Sequence, residues 1–155
     1  MPLTPVTVQN LIQSDIIDAS LDGAEITLDT WSGVLGQWLN TDLPTFIVTA
    51  INPKAVDLTV ASMTGPMPDG IPAIQGAFTS FGVTLAANAV GTGGPSVAPS
   101  VPFVLATVVP AGMASPPAPS STVSAAWAGI LSSWLGSGVF FSGTPATPVP
   151  VAWVL

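Results

Sequence analysis

Apolar residues near the start of the chain follow a helical spacing. They are Val8, Leu11, Ile12, Ile16 and Ile17. Thr4 stands at the N-cap position of this pattern, and Pro5 occupies the first helical position, where a missing N–H leaves no hydrogen bond unmade. The pattern predicts a first helix that begins after Thr4, followed by a loop through Asp22 and Gly23.

A nine-residue pattern with two tryptophans occurs twice further along the chain. The first copy, WSGVLGQWL, spans 31–39, and the second, WAGILSSWL, spans 127–135. Both have Trp at the first and eighth positions, Gly at the third and Leu at the fifth and ninth. A degenerate copy, IQGAFTSFG, spans 74–82. Duplication and convergence of short helices both explain the similarity, and the unequal separations of 43 and 53 residues do not fit a solenoid.

The bulky residues of each copy recur at i, i+3, i+4 and i+7, which places them on one face of a helix. We therefore expect three helices packed on Trp/Leu stripes. Asp29 or Thr30 is expected to cap the first of them. Ser120 or Ser121 is expected to cap the third, and Gly136 to end it. The predicted core residues are Trp31, Leu35, Trp38, Phe78, Phe81, Trp127, Leu131 and Trp134.

Short strands and proline-rich segments fill the remainder of the chain. The strand-like runs are 45–51, 56–61, 101–109, 139–141 and 149–154. Two proline-rich segments, 93–102 and 110–119, interrupt the second half. The predicted fold class is mainly α with a few short strands (α+β), in a single domain over 1–155. Within it, 93–120 is expected to form an extended arm or linker and 145–155 an extended C-terminal tail.

Charge is distributed very unevenly along the chain. Eight acidic residues and one base, Lys54, give a net charge of -7, and no side chain from Gly70 to Leu155 carries a charge. These 86 residues contrast with an ordinary protein, in which about a quarter of residues are charged. We expect this half to lie against other protein, or in some cases lipid. The shortage of basic residues argues against nucleic acid and against an anionic membrane surface as partners.

Two apolar segments of the uncharged half are predicted to contact a partner. One lies between the proline-rich segments. The other is the tail, where Pro148 and Pro150 fix an extended backbone and apolar residues alternate on one side. The interface candidates are Phe103, Val104, Leu105, Val108, Val109, Val149, Val151 and Trp153. A tail folded back on its own subunit, and proline-rich segments that serve as free linkers, are open alternatives.

The residues that most enzymes use for catalysis are missing. The chain has no His, Tyr or Cys, which excludes Ser-His-Asp and Cys-His arrangements and soft metal sites. Carboxylates could cleave a glycoside or bind calcium, but the EF-hand spacing is absent, and a solvated helix face with a loop explains them better. These acids are Asp15, Asp18, Asp22, Glu25 and Asp29. The sequence predicts no enzyme activity, no metal and no cofactor.

One uncharged stretch, 123–141, is long enough to span a membrane. It contains four serines and three glycines and has no flanking Lys or Arg to anchor it. A helix that ends at Gly136 and is followed by a strand is therefore the preferred interpretation.

The second Trp pattern sits in a longer motif, AWAGILSSWL at 126–135, followed by VFFSG at 139–143 and a proline-rich strand. With the Ala/Gly/Pro/Thr-rich composition, this resembles the small accessory virion proteins of tailed bacteriophages, mainly over 120–155 and less over 4–50. The resemblance implies a non-enzymatic building block of the virion. Its partners would be other virion structural proteins and copies of itself, without nucleic acid or small molecules.

Two other classes of protein are also compatible with the sequence. One is a membrane-inserting protein such as a small pore. The other is a carbohydrate-binding module that uses Trp153 together with an exposed helical tryptophan.

Overall fold

The computed structural model describes residues 3–19, 27–42, 71–88, 90–91, 93–99, 103 and 120–155. Within these residues the protein is mainly helical and carries a small antiparallel sheet. This confirms the predicted α+β class. Of the predicted strands, 45–51, 56–61 and all of 101–109 except Phe103 lie outside the described residues, as does the second proline-rich segment.

The described helices follow the apolar stripes of the sequence. They are α1 (Pro5–Ile12), which continues in a π-helical turn (Gln13–Ile17), α2 (Leu28–Asp42), α3 (Ile71–Asn88) and α4 (Ser120–Leu135). Thr4 is the N-cap of α1, and Pro5 is its first residue, as expected. Gly136 ends α4, and its amide donates to the Ser132 carbonyl at 2.8 Å.

Helix α2 begins two or three residues earlier than predicted. The helix begins at Leu28, so neither Asp29 nor Thr30 is its cap. Instead, the Thr30 amide donates to Thr27 Oγ1 at 3.4 Å, and the Thr27 amide donates to Thr30 Oγ1 at 3.3 Å. This reciprocal arrangement satisfies two amides at the helix start, as a capping box does.

The sheet has the strand order β1-β2-β3-β4 and is antiparallel throughout. Its strands are β1 (Val90–Gly91), β2 (Gly94–Val97), β3 (Val139–Thr144) and β4 (Thr147–Ala152). The prediction of an arm or linker over 93–120 is wrong for β2, which pairs on both sides. Proline favours an extended backbone, and the irregular register between Gly94 and Val97 accommodates the reduced set of donors.

The two tryptophan patterns meet inside one hydrophobic core. Their first tryptophans, Trp31 and Trp127, have ring centroids 4.8 Å apart. Phe78 of the degenerate copy packs edge-on against Trp31 at 5.5 Å and against Trp134 at 6.4 Å. The three stripes therefore pack on each other, and aromatic contacts of this geometry add to the free energy gained by burial.

The first and last described residues are joined by backbone hydrogen bonds. The Leu3 amide donates to the Trp153 carbonyl at 2.8 Å, and the Leu155 amide donates to the Leu3 carbonyl at 3.0 Å. Leu3 thereby forms an isolated parallel bridge with Val154, and both side chains are buried. We call this pairing the terminal clasp.

Candidate interaction surface

Seven of the eight predicted core residues are buried in the protein's own core. They are Trp31, Leu35, Trp38, Phe78, Phe81, Leu131 and Trp134. The eighth, Trp127, is half-buried and packs against this cluster. The helical tryptophans are thus mostly occupied by intramolecular packing, which leaves little aromatic surface for a ligand.

Phe103 is not an interface residue, contrary to the prediction. Its side chain is 1% exposed and stacks on Phe78 with ring centroids 4.5 Å apart. Trp134 packs edge-on against it at 5.1 Å. An apolar residue between two proline-rich segments has fitted into the helical core, which buries it as well as a partner would. The other candidates from this run, Val104, Leu105, Val108 and Val109, lie outside the described residues.

Trp153 is also not an interface residue, because the tail folds back on its own subunit. Its side chain is 0% exposed, its ring packs against Phe140 with centroids 5.5 Å apart, and its Nε1–H donates to the Val97 carbonyl at 3.3 Å. A Cβ on Gly138 would lie 2.8 Å from Trp153 Cδ1. The missing side chain at Gly138 therefore provides the space that the indole ring occupies.

The two remaining interface candidates lie in different environments. Val151 is partly buried and packs against the core cluster, so its contacts also lie within the subunit. Val149 is 52% exposed and lies in the middle of β4. Of the predicted interface residues that the structure describes, only Val149 is presented to the outside.

Val149 belongs to a hairpin whose outer half is exposed. We define the hairpin tip as residues 143–150, all of which are exposed. Because successive residues of a strand point to opposite faces, exposure of the whole run means that no described residue covers either face. Every residue of the tip is uncharged.

Local chemistry fixes the turn of this hairpin. Gly143 has φ +85°, a value that side chains disfavour, and a Cβ there would lie 2.6 Å from the Thr147 carbonyl oxygen. The Thr147 amide donates to Thr144 Oγ1 at 3.2 Å, which closes the turn across Pro145 and Ala146. The tip is therefore a preorganised element.

The prolines of β4 leave its pairing with β3 intact. The Trp153 amide donates to the Gly138 carbonyl, so odd-numbered residues of β4 direct their amides toward β3. Pro148 and Pro150 then fall at positions whose amides would point outward. Because they have no N–H, the outer edge of β4 offers few donors to an additional strand.

The acidic residues that the structure describes form no constellation suited to catalysis. Asp18 accepts a hydrogen bond from Gln13 Nε2 at 2.7 Å, and Asp15 accepts one from Gln37 Nε2 at 3.0 Å. Asp22 and Glu25 lie outside the described residues. No group of three or more potential metal ligands occurs among the described residues.

One further acidic residue, to which the sequence analysis assigns no role, has a clear structural role. Asp42, at the end of α2, accepts hydrogen bonds at 2.8 Å from both the amide and the hydroxyl of Thr4. It also accepts one from Thr7 Oγ1 at 3.2 Å and one from Trp38 Nε1 at 3.1 Å. A carboxylate at a helix C-terminus is unfavourable because it lies at the negative end of the helix dipole. An acidic residue at that position therefore suggests hydrogen bonding to another element.

Comparison of the chain with protein-family models, with curated proteins and with solved structures finds no match. The search for membrane-spanning helices, restricted to the described residues, finds none with the length and apolar character needed to cross a bilayer. The stretch 123–141 is instead divided between α4 and β3, as the preferred interpretation expected.

Proposed function

We propose that this protein is a non-enzymatic structural subunit of a large protein assembly, and specifically a virion component of a tailed bacteriophage. The observation that carries the proposal is the uncharged second half, which presents an exposed hairpin tip over 143–150. The subunit contacts its neighbours through this half and acts without a cofactor.

The exposed surface of the second half supports this role. Large apolar side chains that reach solvent there include Val83, Val97, Val149 and Leu155. Burying such a surface against a neighbour removes apolar area from water and strips no charge of its hydration. Contact through such a surface lowers the free energy, and no like charges face each other across it.

The structure argues against carbohydrate binding, because the tryptophan on which this alternative depends is buried. Such binding depends on a tryptophan face that a sugar ring can stack against. Trp153 is fully buried, with its ring against Phe140, and presents no such face. The pore alternative requires an apolar span, and no observation among the described helices favours it.

Sedimentation of particles tests the proposal. Particles from cells that produce the protein are separated on a density gradient, and the chain is quantified across the fractions by mass spectrometry. We expect it to co-sediment with a particle at a fixed stoichiometry to another particle protein.

A salt wash distinguishes a structural subunit from a passenger bound by charge. At about 1 M salt, ion pairs at a surface are strongly screened. A subunit held through an uncharged contact should remain on the particle after this wash. If the chain stays at the top of the gradient, or leaves with the wash, the proposed function is wrong.

A further inference from the structure

We infer that the hairpin tip is a docking element and that the surface it docks on is the uncharged half of a second copy of this chain. This inference rests on the proposed function, because it names the contact and the partner for the same surface.

The hairpin is anchored firmly at one end and exposed at the other. At the base, Phe140 and Trp153 are buried in the core and their rings are in contact. At the tip, the exposed turn is closed by the Thr147–Thr144 hydrogen bond, and Pro148 and Pro150 restrict the backbone. A rigid projecting element loses little conformational entropy when it binds, which favours association.

The sheet edges are poorly suited to recruit a partner. At one edge, the prolines of β4 remove outward amides, and at the other, β1 is only two residues long. Addition of a partner strand is therefore disfavoured on both sides. The faces of the tip, with Val149 and its exposed neighbours, remain as the contact surface.

The lack of charge in the second half favours a second copy as the partner. About a quarter of the residues of an ordinary protein are charged, and a charge buried against the uncharged tip would have no opposite charge to pair with. Residues 70–155 of a second copy contain no charged side chain, so the exposed hairpin tip can be buried against them without leaving a charge unpaired.

Paired lysine substitutions test the docking element. Val149→Lys places a charge on the tip, and Asn40→Lys places the same charge on an exposed position of α2. Sedimentation velocity over a wide concentration range should show self-association of the unmodified chain. We expect V149K to weaken this association at least tenfold and N40K to leave it within about twofold, with unchanged circular dichroism for both.

A labelling experiment locates the contact without a charge. The chain contains no cysteine, so Ala146→Cys in the turn and Asn40→Cys in α2 each introduce a single thiol. We expect maleimide to modify A146C at least tenfold more slowly at associating than at dissociating concentrations, and to modify N40C at the same rate in both.

The outcomes separate this inference from the proposed function. A chain that stays monomeric at high concentration overturns the choice of a second copy as partner, whatever the particle gradient shows. If the chain associates, but V149K associates as strongly as N40K and maleimide modifies A146C at the same rate in both conditions, the hairpin tip is not the contact. If association depends on the tip but the chain is absent from particles, the inference holds and the proposed function fails.

Discussion

At the scale of single residues, Asp42 shows how one carboxylate can order two helices. Its oxygens accept hydrogen bonds from the first turn of α1 and from Trp38 within α2. The negative charge lies at the N-terminus of α1, where unsatisfied amides and the helix dipole favour it. The unfavourable position of Asp42 at the end of its own helix is offset by this role.

We expect Asp42→Asn to lower the free energy of unfolding by about 1–3 kcal/mol, because several bonds to a charged acceptor are lost or weakened. Chemical denaturation monitored by Trp fluorescence measures this. Asn40→Ala, at an exposed position two residues earlier, should change stability by less than about 0.5 kcal/mol. Equal effects of the two substitutions would contradict the assigned role.

Substitution by alanine should have opposite effects on stability at two glycines. A Cβ on Gly138 would lie 2.8 Å from both the Trp153 ring and the Val97 carbonyl oxygen, whereas one on Gly129 meets nothing within 4 Å. We expect Gly138→Ala to destabilise the protein by about 1–3 kcal/mol through steric strain. Gly129→Ala, within α4, should stabilise it by about 0.5–1 kcal/mol. Thermal melting of both variants checks the predicted difference in sign.

At the scale of elements, the tryptophan stripes can be examined one residue at a time. Trp134 is buried between Phe78 and Phe103, while Trp127 is only half-buried. We expect Trp134→Ala to cost about 3–5 kcal/mol and Trp127→Ala distinctly less. Urea denaturation of the two variants provides the comparison, and a larger loss for Trp127→Ala would show that the stripe is not packed as described.

The C-terminal element should be needed for folding. Residues 148–155 contain most of β4, the buried Trp153 and the Val154 partner of Leu3. Deleting them should abolish the cooperative melting transition, because a large aromatic side chain and a strand are lost together. A truncated chain that keeps its circular dichroism and melting temperature would contradict the intramolecular docking of the tail.

The sequence predicts helices better than it predicts what the extended segments contact. A stripe such as 31–39 fixes both helix and buried face, because its period is local. The alternation around Val149 and Val151 is equally compatible with a sheet in the same subunit or in a neighbour. Contacts distant in the sequence, such as Trp153 with Val97, decide between them. The burial of Phe103 and the pairing of β2 could not be predicted from the sequence for the same reason.

At the scale of the whole molecule, the net negative charge makes self-association depend on pH. The net charge is -7 at pH 7, and the sequence pI is about 4.1. As the pH falls toward 4, carboxylates take up protons and the repulsion between copies disappears. We expect self-association to strengthen, as measured by light scattering, while circular dichroism verifies that the fold persists.

Added salt at pH 7 is the control for this prediction. Salt screens the same repulsion without changing the protonation of the carboxylates. It should therefore also strengthen association, but less than acidification does. Association that weakens on acidification would show that ionised carboxylates take part in the contact.

The terminal clasp has a topological consequence. Because Leu3 and Val154 lie side by side, the backbone path over the described residues is nearly a closed ring. A short Gly/Ser linker from Leu155 to Leu3 would complete the ring, and the chain could be opened between Pro145 and Ala146 in the exposed turn. Such a circular permutant retains every buried contact described above and interrupts only the hairpin tip. Its connectivity would thereby separate the part of the chain that holds the subunit together from the hairpin tip, through which we propose that it contacts the next.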